Sequence, residues 1–486
     1  MHSISVIVSA TALIALQLLG SGILVSAKCS FDKISVDTNP GFQITVNDDY
    51  KLVEDTLANV KYGLYCDAKP SNVDGIDKWF KVPISAAGIR IPIASGFVEA
   101  LGLRSKVAAI ESPGNLTNIC FDTSKIKTLD EANGAEVSNV DVIFSTNASS
   151  DGAQSVRLPS DDSLLPLQKA EWLKFFAAFF NEEKAAASLF TLISDSYNCH
   201  RGNMRNLKTP PHAYWVQYSD DSDKKSYNII TSAYQKELLA GAGATNVTNK
   251  ALEDPSDVVS FQNAVKDASY VFDQTNLKDY GQRITEWYTD FGYADPRNTD
   301  VNFLLQRQIW RTDQYVSKSG ISNFPEFAYV RPDLVLQDVI SVVVPTYNTE
   351  YQPRWMSWLG GTNEDSDTID QSNYDCENSW MSIVDQCVAR SDFDGTTPSS
   401  SDDNDSDNST SNDDSNKKGD NDSESSSGHG RTGKIVGGVI AGVVFIALAF
   451  VALHYYNRHR RQARIRALSQ NGYGHENIGL STRYSG

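Results

Sequence analysis

The feature that most restricts this chain is a second long apolar run, Ile435–Leu453, near the end of a sequence that also opens with one. An uncharged stretch of that length crosses the ~30 Å hydrocarbon core of a bilayer as a helix. Arg458, Arg460, Arg461, Arg464 and Arg466 follow it directly, and basic flanks of this kind stay cytoplasmic. At the front, Val6–Leu19 reads as a signal-peptide core, with Val25, Ser26 and Ala27 supplying a cleavage site before Lys28. Lys28 in front of Cys29 excludes a bacterial lipoprotein. The order predicts a single-pass type I protein of the plasma membrane, with its ectodomain extracellular or endosomal.

Without its ends and linker the chain keeps roughly 360 residues, more than one core usually supports, so two lobes are expected. A hydrophobic fraction of 40% and a net charge of -18 describe a globular, soluble ectodomain rather than a nucleic-acid binder, which needs clustered basic surface. Cys29, Cys66, Cys120, Cys199, Cys376 and Cys387 all fall on the exported side, where thiols oxidise. Sequence does not choose among their pairings; the short loop between Cys376 and Cys387 makes that pair the favoured local one. Sequons at Asn115, Asn147 and Asn246 are glycosylation candidates, with others in the linker. That linker, 391–433, is Ser, Asp, Asn and Gly with almost no apolar residue. It reads as an extended, self-repelling stalk.

In the ectodomain short β-rich runs alternate with helical ones, the rhythm of parallel sheets with crossover helices. The Val82–Ile93 region, Val107–Glu111 and Val140–Phe144 read as strands, with a helix over Ala94–Leu101. Leu167–Phe180 and Asn181–Phe190 show apolar spacings of three and four, the mark of helices. The rhythm then resumes with Ala213–Tyr218, a helix around Ser232–Ala242, Val265–Asp273, a long helical stretch through Trp310, and Leu334–Val343. The expected organisation is a signal peptide over 1–27, an N-terminal extension over 28–80, an N-lobe over 81–165 and connecting helices over 166–200. A C-lobe over 201–345, a disulfide-bearing extension over 346–390, the stalk over 391–433, a membrane helix over 434–456 and a tail over 457–486 complete it.

Four blocks in this order resemble one family. Phe97–Leu103 followed by Lys106–Ile110, Ala170–Phe180, Ser232–Gly243 and Val330–Asp338 are similar to segments of the class III periplasmic substrate-binding proteins, of the ferric siderophore and cobalamin type. The resemblance covers about Lys81 to Pro345. It implies an α/β fold of two Rossmann-like lobes joined by a long helix, with a small-molecule ligand held between them. Ala242 stands where the family usually has the first glycine of a pair. The carboxyl-terminal anchor and the cysteines depart from bacterial members, so the arrangement resembles a membrane-anchored eukaryotic relative with an uptake or endocytic partner of unknown identity.

Ligands of open α/β lobes meet the loops at the carboxyl ends of strands. Position therefore selects Arg90, Ser95, Asn115 and Thr146, with Asn147 beside it, from the N-lobe, and Trp215, Tyr218, Tyr227, Asp273, Arg311 and Tyr329 from the C-lobe. Guanidinium forks and aromatic faces suit an anionic or catechol-rich chelate. The bland alternatives are an Arg90 paired with a carboxylate, a Trp215 or Tyr218 in the core, and a glycan on Asn147. Trp172 is read as packing, Arg331 as pairing near Pro332 and Asp333, and Glu99 as a solvated face or a charged docking point.

Catalysis is not expected. His200 and His212 are the ectodomain's histidines, and there is no HExxH pair, G-x-S-x-G elbow or P-loop. No resident cofactor or metal-ligand set is expected either. The sequence thus points to a cell-surface receptor capturing a ferric siderophore or similar chelate. A corrinoid or haem-type ligand, or an adhesion or scaffold ectodomain that keeps the fold without ligand, are its alternatives.

Overall fold

The computed structural model describes residues 31–396, except 123, 130–136, 160–162, 222–223, 246–251, 276–282, 294–298, 362–365, 371, 373, 378–380 and 382–386. The expected signal peptide, membrane helix, tail and all but the start of the stalk lie outside the described residues. Among those described, no helix is long and apolar enough to cross a membrane.

The N-terminal extension forms a sheet of its own. Strands β1 (Phe42–Val46), β2 (Lys51–Asp55) and β3 (Val60–Tyr65) pair antiparallel, and β4 (Lys78–Lys81) adds parallel to β3. Its rings pack on the helical connection, as in Phe42 against Trp172 at 5.0 Å and Phe80 against Phe179 at 5.6 Å. A buried Lys51–Glu183 ion pair fixes the sheet to the same helices.

The N-lobe sheet has the order β7-β6-β5-β8-β9, with every pairing parallel. Its strands are β5 (Ala87–Ile89), β6 (Val107–Ile110), β7 (Lys127–Thr128), β8 (Val142–Ser145) and β9 (Ser155–Arg157). All of β8 is buried, as a central parallel strand covered on both faces must be. Helix α1 (Pro92–Ala100) follows β5, with Pro92 in its first turn, where a missing N–H costs nothing. Helices α2 (Pro166–Ala178) and α3 (Glu183–Asn203) then lead to the second lobe. Trp172 in α2 is fully buried and donates its Nε1–H to the Pro40 carbonyl at 2.8 Å, which is packing.

The C-lobe comprises β10 (Ala213–Asp221), β11 (Lys224–Ile229), α4 (Ala233–Gly241), α5 (Val258–Val265), β12 (Tyr270–Asp273), α6 (Ile284–Asp290), α7 (Asn302–Leu305), β13 (Ile309–Arg311), β14 (Tyr315–Val316), α8 (Pro332–Val343), β15 (Ser357–Trp358) and β16 (Asp367–Thr368). Its main sheet runs β11-β10-β12-β13-β15, parallel in the middle and antiparallel at both edges. Where a long helix is expected up to Trp310, the described residues form two short helices and a strand. Gly292, at φ 73°, and Arg307, at φ 53°, turn the chain out of the helical path.

The cysteine pairing corrects the expected Cys376–Cys387 bridge. Cys376 joins Cys120 of the N-lobe, and Cys387 joins Cys199 on α3; Cys66 is also disulfide-bonded. Loop length favoured the local pair, but the extension runs along the body and reaches the N-lobe and the helical connection at separate points. Arg331 confirms its expected local pairing, forking onto Asp333 at 2.9 and 2.7 Å, and also reaches the Met381 carbonyl of the extension at 2.9 Å.

Candidate functional site between the lobes

The carboxyl ends of β5 and β6 open onto a cavity of about 240 Å³ that the C-lobe closes from above. Ile89, Ile110 and Leu116 form apolar walls, Ile321 and Pro325 the roof, and Arg90 with Glu111 the polar side. Ser112 at the rim adopts a left-handed conformation with φ 49°. The roof belongs to a segment running from β14 into one wide helical turn, Phe324–Ala328. Ser319 donates to the Gly114 carbonyl at 3.1 Å, and Asn323 donates its amide to Thr117 Oγ1 at 3.2 Å. Trp355 Nε1 in turn donates to Asn323 Oδ1 at 2.7 Å.

The centre of this junction is Glu326. Its carboxylate is buried and accepts bonds from the hydroxyls of Ser95 and Thr117 and from the Thr117 amide at 2.8 Å. Burial pushes the carboxyl up from its ordinary range, and the Ser95 and Thr117 donors pull against that rise. A Cβ on Gly96 would collide with the Glu326 carbonyl. Glycine there lets α1 lie backbone-close to the wide turn.

Arg90 is the sequence candidate that lines the cavity. Its side chain is 5% exposed and holds Asp151 through Nε at 2.9 Å and Nη2 at 2.7 Å, and Glu111 through Nη1 at 2.8 Å. Burial works against the charge, but Asp151 and Glu111 more than offset it, so the guanidinium is held protonated more firmly than usual. A cation bracketed by two carboxylates offers an incoming anion little net positive field. Glu111, with its side chain 40% exposed, is the accessible member of the cluster.

Several other candidates lie elsewhere. Ser95 is buried under Glu326. Tyr218 and Tyr227 face each other across β10 and β11 at 5.6 Å and pack with Phe291 in a separate C-lobe core, so they are structural. Trp215 is fully buried, stacked on Phe272 at 4.8 Å. Asp273 accepts from Trp287 Nε1 at 3.0 Å and from the Thr275 amide at 2.8 Å, while Arg311 pairs with Asp313 at 2.6 Å. Tyr329 meets Tyr234 edge-on at 4.9 Å under the Lys169 ammonium, 3.5 Å from its ring centre. Thr146 and Asn147 are exposed, and Asn147 accepts from the Ser149 amide at 2.9 Å. Asn115 sits in the single turn Pro113–Asn115, and Asn246 lies outside the described residues. Glu99 is buried rather than solvated, paired with Arg104 at 2.5 Å.

Sequence reasoning passed over Glu326, Glu111, Asp151 and Asn323. Glu326 carried one visible signal: an acid inside Phe324-Pro325-Glu326-Phe327-Ala328, where apolar neighbours on both sides place a carboxylate in the interior. The α/β character with parallel sheets expected from the sequence is what the chain shows.

No protein-family model matches the chain, and no curated protein matches it. Among solved structures it is similar to the periplasmic heme-binding protein HutB of Vibrio cholerae, at 12% identity over 54% of this chain and 99% of that one, with a TM-score of 0.41. Helicobacter pylori CeuE with Ni(II) bound gives 11% identity over 57% of this chain and 89% of that one, with a TM-score of 0.39. The periplasmic heme-binding protein RhuT from Roseiflexus sp. RS-1 gives 14% identity over 53% and 99%, with a TM-score of 0.36. Likeness at this level leaves the fold and the site resting on the chain's own sheets and side chains.

Proposed function

We propose that the chain is a solute-binding receptor that captures a compact metal chelate between its two lobes and does not turn it over. The observation that carries this reading is the cavity at the carboxyl ends of β5 and β6, where parallel α/β sheets place their ligand sites. Apolar walls hold the body of a guest, and Glu111 and Arg90 offer one charged side for its polar groups. At about 240 Å³ the cavity is below the usual ~300–1,000 Å³ of small-molecule sites. A full ferric siderophore, corrinoid or haem therefore requires the roof at Ile321–Pro325 to lift. The type I surface location expected from the sequence suits such capture.

The test is a tryptophan-fluorescence titration of the purified protein with ferric citrate, ferric hydroxamates, ferric catecholates, haem and cobalamin. Saturable binding of one chelate is expected, weakened by Glu111→Ala, the accessible charged residue of the lining. A scaffold or adhesion role is the second reading. It is favoured by the roof segment, which bonds across to the N-lobe through Ser319, Asn323 and Glu326, and by the Cys120–Cys376 bridge pinning the extension to the N-lobe. Silence across the whole panel selects it.

A further inference from the structure

A second groove lies on the C-lobe at the amino ends of its parallel strands, the opposite end of the sheet from the one that faces ligand in α/β lobes. It encloses about 530 Å³ between the start of β12 and β13, the end of α8 and the loop before β10. That is an ordinary size for a ligand site. Its polar lining is neutral: Asn302 and Gln306 supply amides and Thr209 and Ser269 hydroxyls, while the Gln308 amide and the Thr346 hydroxyl are already bonded within the protein. Asp394 is the carboxylate in the described lining, and Lys208 neutralises it at 2.5 Å. In a chain of net charge -18, an uncharged groove of this size stands out.

The sheet beside the groove carries a row of rings. Strand alternation puts Gln308 on the same face as Trp310, and Tyr270 on the same face as Phe272. Register then aligns Trp215 with Phe272, Phe272 with Trp310, and Trp310 with Trp358. Trp215 and Phe272 are buried, but the row runs outward, and Trp358 on the edge strand is 41% exposed. Trp310 and Trp358 lie nearly parallel, 17° apart with centres at 6.0 Å. Both indole N–H groups are bonded to acceptors of the protein itself. Trp310 donates to Gln308 Oε1 at 3.1 Å and Trp358 to the Arg307 carbonyl at 2.8 Å. What these rings present outward is therefore apolar face and edge. Gly360 stands where a side chain would collide with the Arg307 carbonyl, so the edge strand can close in and hold Trp358 in place.

Neutral amides and hydroxyls next to fixed indole faces match one ligand chemistry well. A pyranose ring has a flat C–H surface that stacks on an aromatic ring, and its hydroxyls both donate and accept, as carboxamides do. Within the described lining an anionic ligand finds no cation, and the carboxylate there, Asp394, is already paired with Lys208; the exposed Arg307, between Gln306 and Gln308, stands outside that lining. We propose that this groove, with the Trp310–Trp358 pair at its side, binds a neutral oligosaccharide chain.

The test uses the full-length chain, immobilised and titrated with maltohexaose, cellohexaose, mannohexaose and chitohexaose, with oligogalacturonate as the charged control. Binding of at least one neutral probe with a change in tryptophan emission is expected. Trp358→Ala should weaken it about tenfold or more, as truncation of an aromatic anchor does. Trp358→Phe should keep most of it, and Gln306→Ala, an exposed change that leaves the core intact, should weaken it too. Glu111→Ala, at the cavity between the lobes, should leave it unchanged. The proposal is overturned if no neutral probe binds, if oligogalacturonate binds more tightly than all of them, or if Trp358→Ala and Gln306→Ala both leave the affinity unchanged.

Discussion

Replacing Glu326 by alanine tests whether the two lobes are held by one buried carboxylate. In the native protein that group receives the Ser95 hydroxyl, the Thr117 hydroxyl and the Thr117 amide, and the Asn118 amide adds a further bond. Hydroxyls can rotate towards other partners; backbone amides cannot. The alanine variant leaves the Thr117 and Asn118 amides buried without an acceptor, at roughly 1–3 kcal/mol each. Relief from burying a carboxylate returns part of this, so the expected net loss is about 2–4 kcal/mol. Against a total of ~5–15 kcal/mol for a folded domain, that is a large fraction.

The pH dependence has a defined sign. Because the folded-state carboxyl of Glu326 is raised, its contribution is fully present at acid pH and is lost as pH rises through the folded value. Glu326→Gln, which mimics the protonated form, should therefore cost most in acid and least near neutrality. Urea denaturation measures both variants, and hydrogen exchange at the Thr117 amide shows whether the loosening is local to the junction. A loss below about 1 kcal/mol for Glu326→Ala, or unchanged exchange at Thr117, would refute the assignment of Glu326 as the tie between lobes.

Other outcomes follow from the same geometry. Removing the Cys120–Cys376 bridge by paired serine substitutions frees a loop spanning 256 residues, for an upper loss of about 5 kcal/mol by loop-closure entropy; a Tm unchanged against the bridged protein contradicts this. Asp338, fully buried and bonded to Tyr351 at 2.6 Å and the Trp355 amide at 2.7 Å, is pushed by burial to about 6. Relative to an exposed aspartate at 3.8 it contributes ~3 kcal/mol below about pH 4 that is lost as pH rises through about 6. Asp338→Asn should flatten the fall in stability across that window, read from urea midpoints; an undiminished slope counts against it. Arg90→Ala leaves Asp151 buried beside an empty space, and should lower stability by about 3–5 kcal/mol. Arg90→Ala/Asp151→Asn should recover most of that loss.

Much of the scaffold was legible because it is written in local pattern. The apolar run Val140–Phe144 reads as a buried strand and the three-and-four spacing of α2 as a helix, and the chain forms both. Arg331 finds Asp333 two residues away, so its pairing was visible too. The cleft candidates fared differently. Strand ends could be located, but position along a strand does not say whether a side chain meets ligand or core. Tyr218 and Tyr227 pair across the local β10–β11 hairpin, but that this face is core is settled by Phe261 and Phe291, which arrive from further along the chain.

The sequence by itself determined the strand-and-helix rhythm of the lobes and the helices that join them, but not the four-stranded sheet over 42–81 or the break-up of the stretch before Trp310. Tertiary structure alone decided that Ser95 meets Glu326 across 231 residues, and that Cys376 reaches Cys120 rather than its neighbour Cys387. It also decided that Arg90 is balanced by Asp151 and Glu111 instead of waiting for an anion. The reason is physical: periodicity records what each element buries, over a few residues. A buried ion, a bridge or a cavity depends on which distant groups arrive beside it, and that is settled only when the lobes pack.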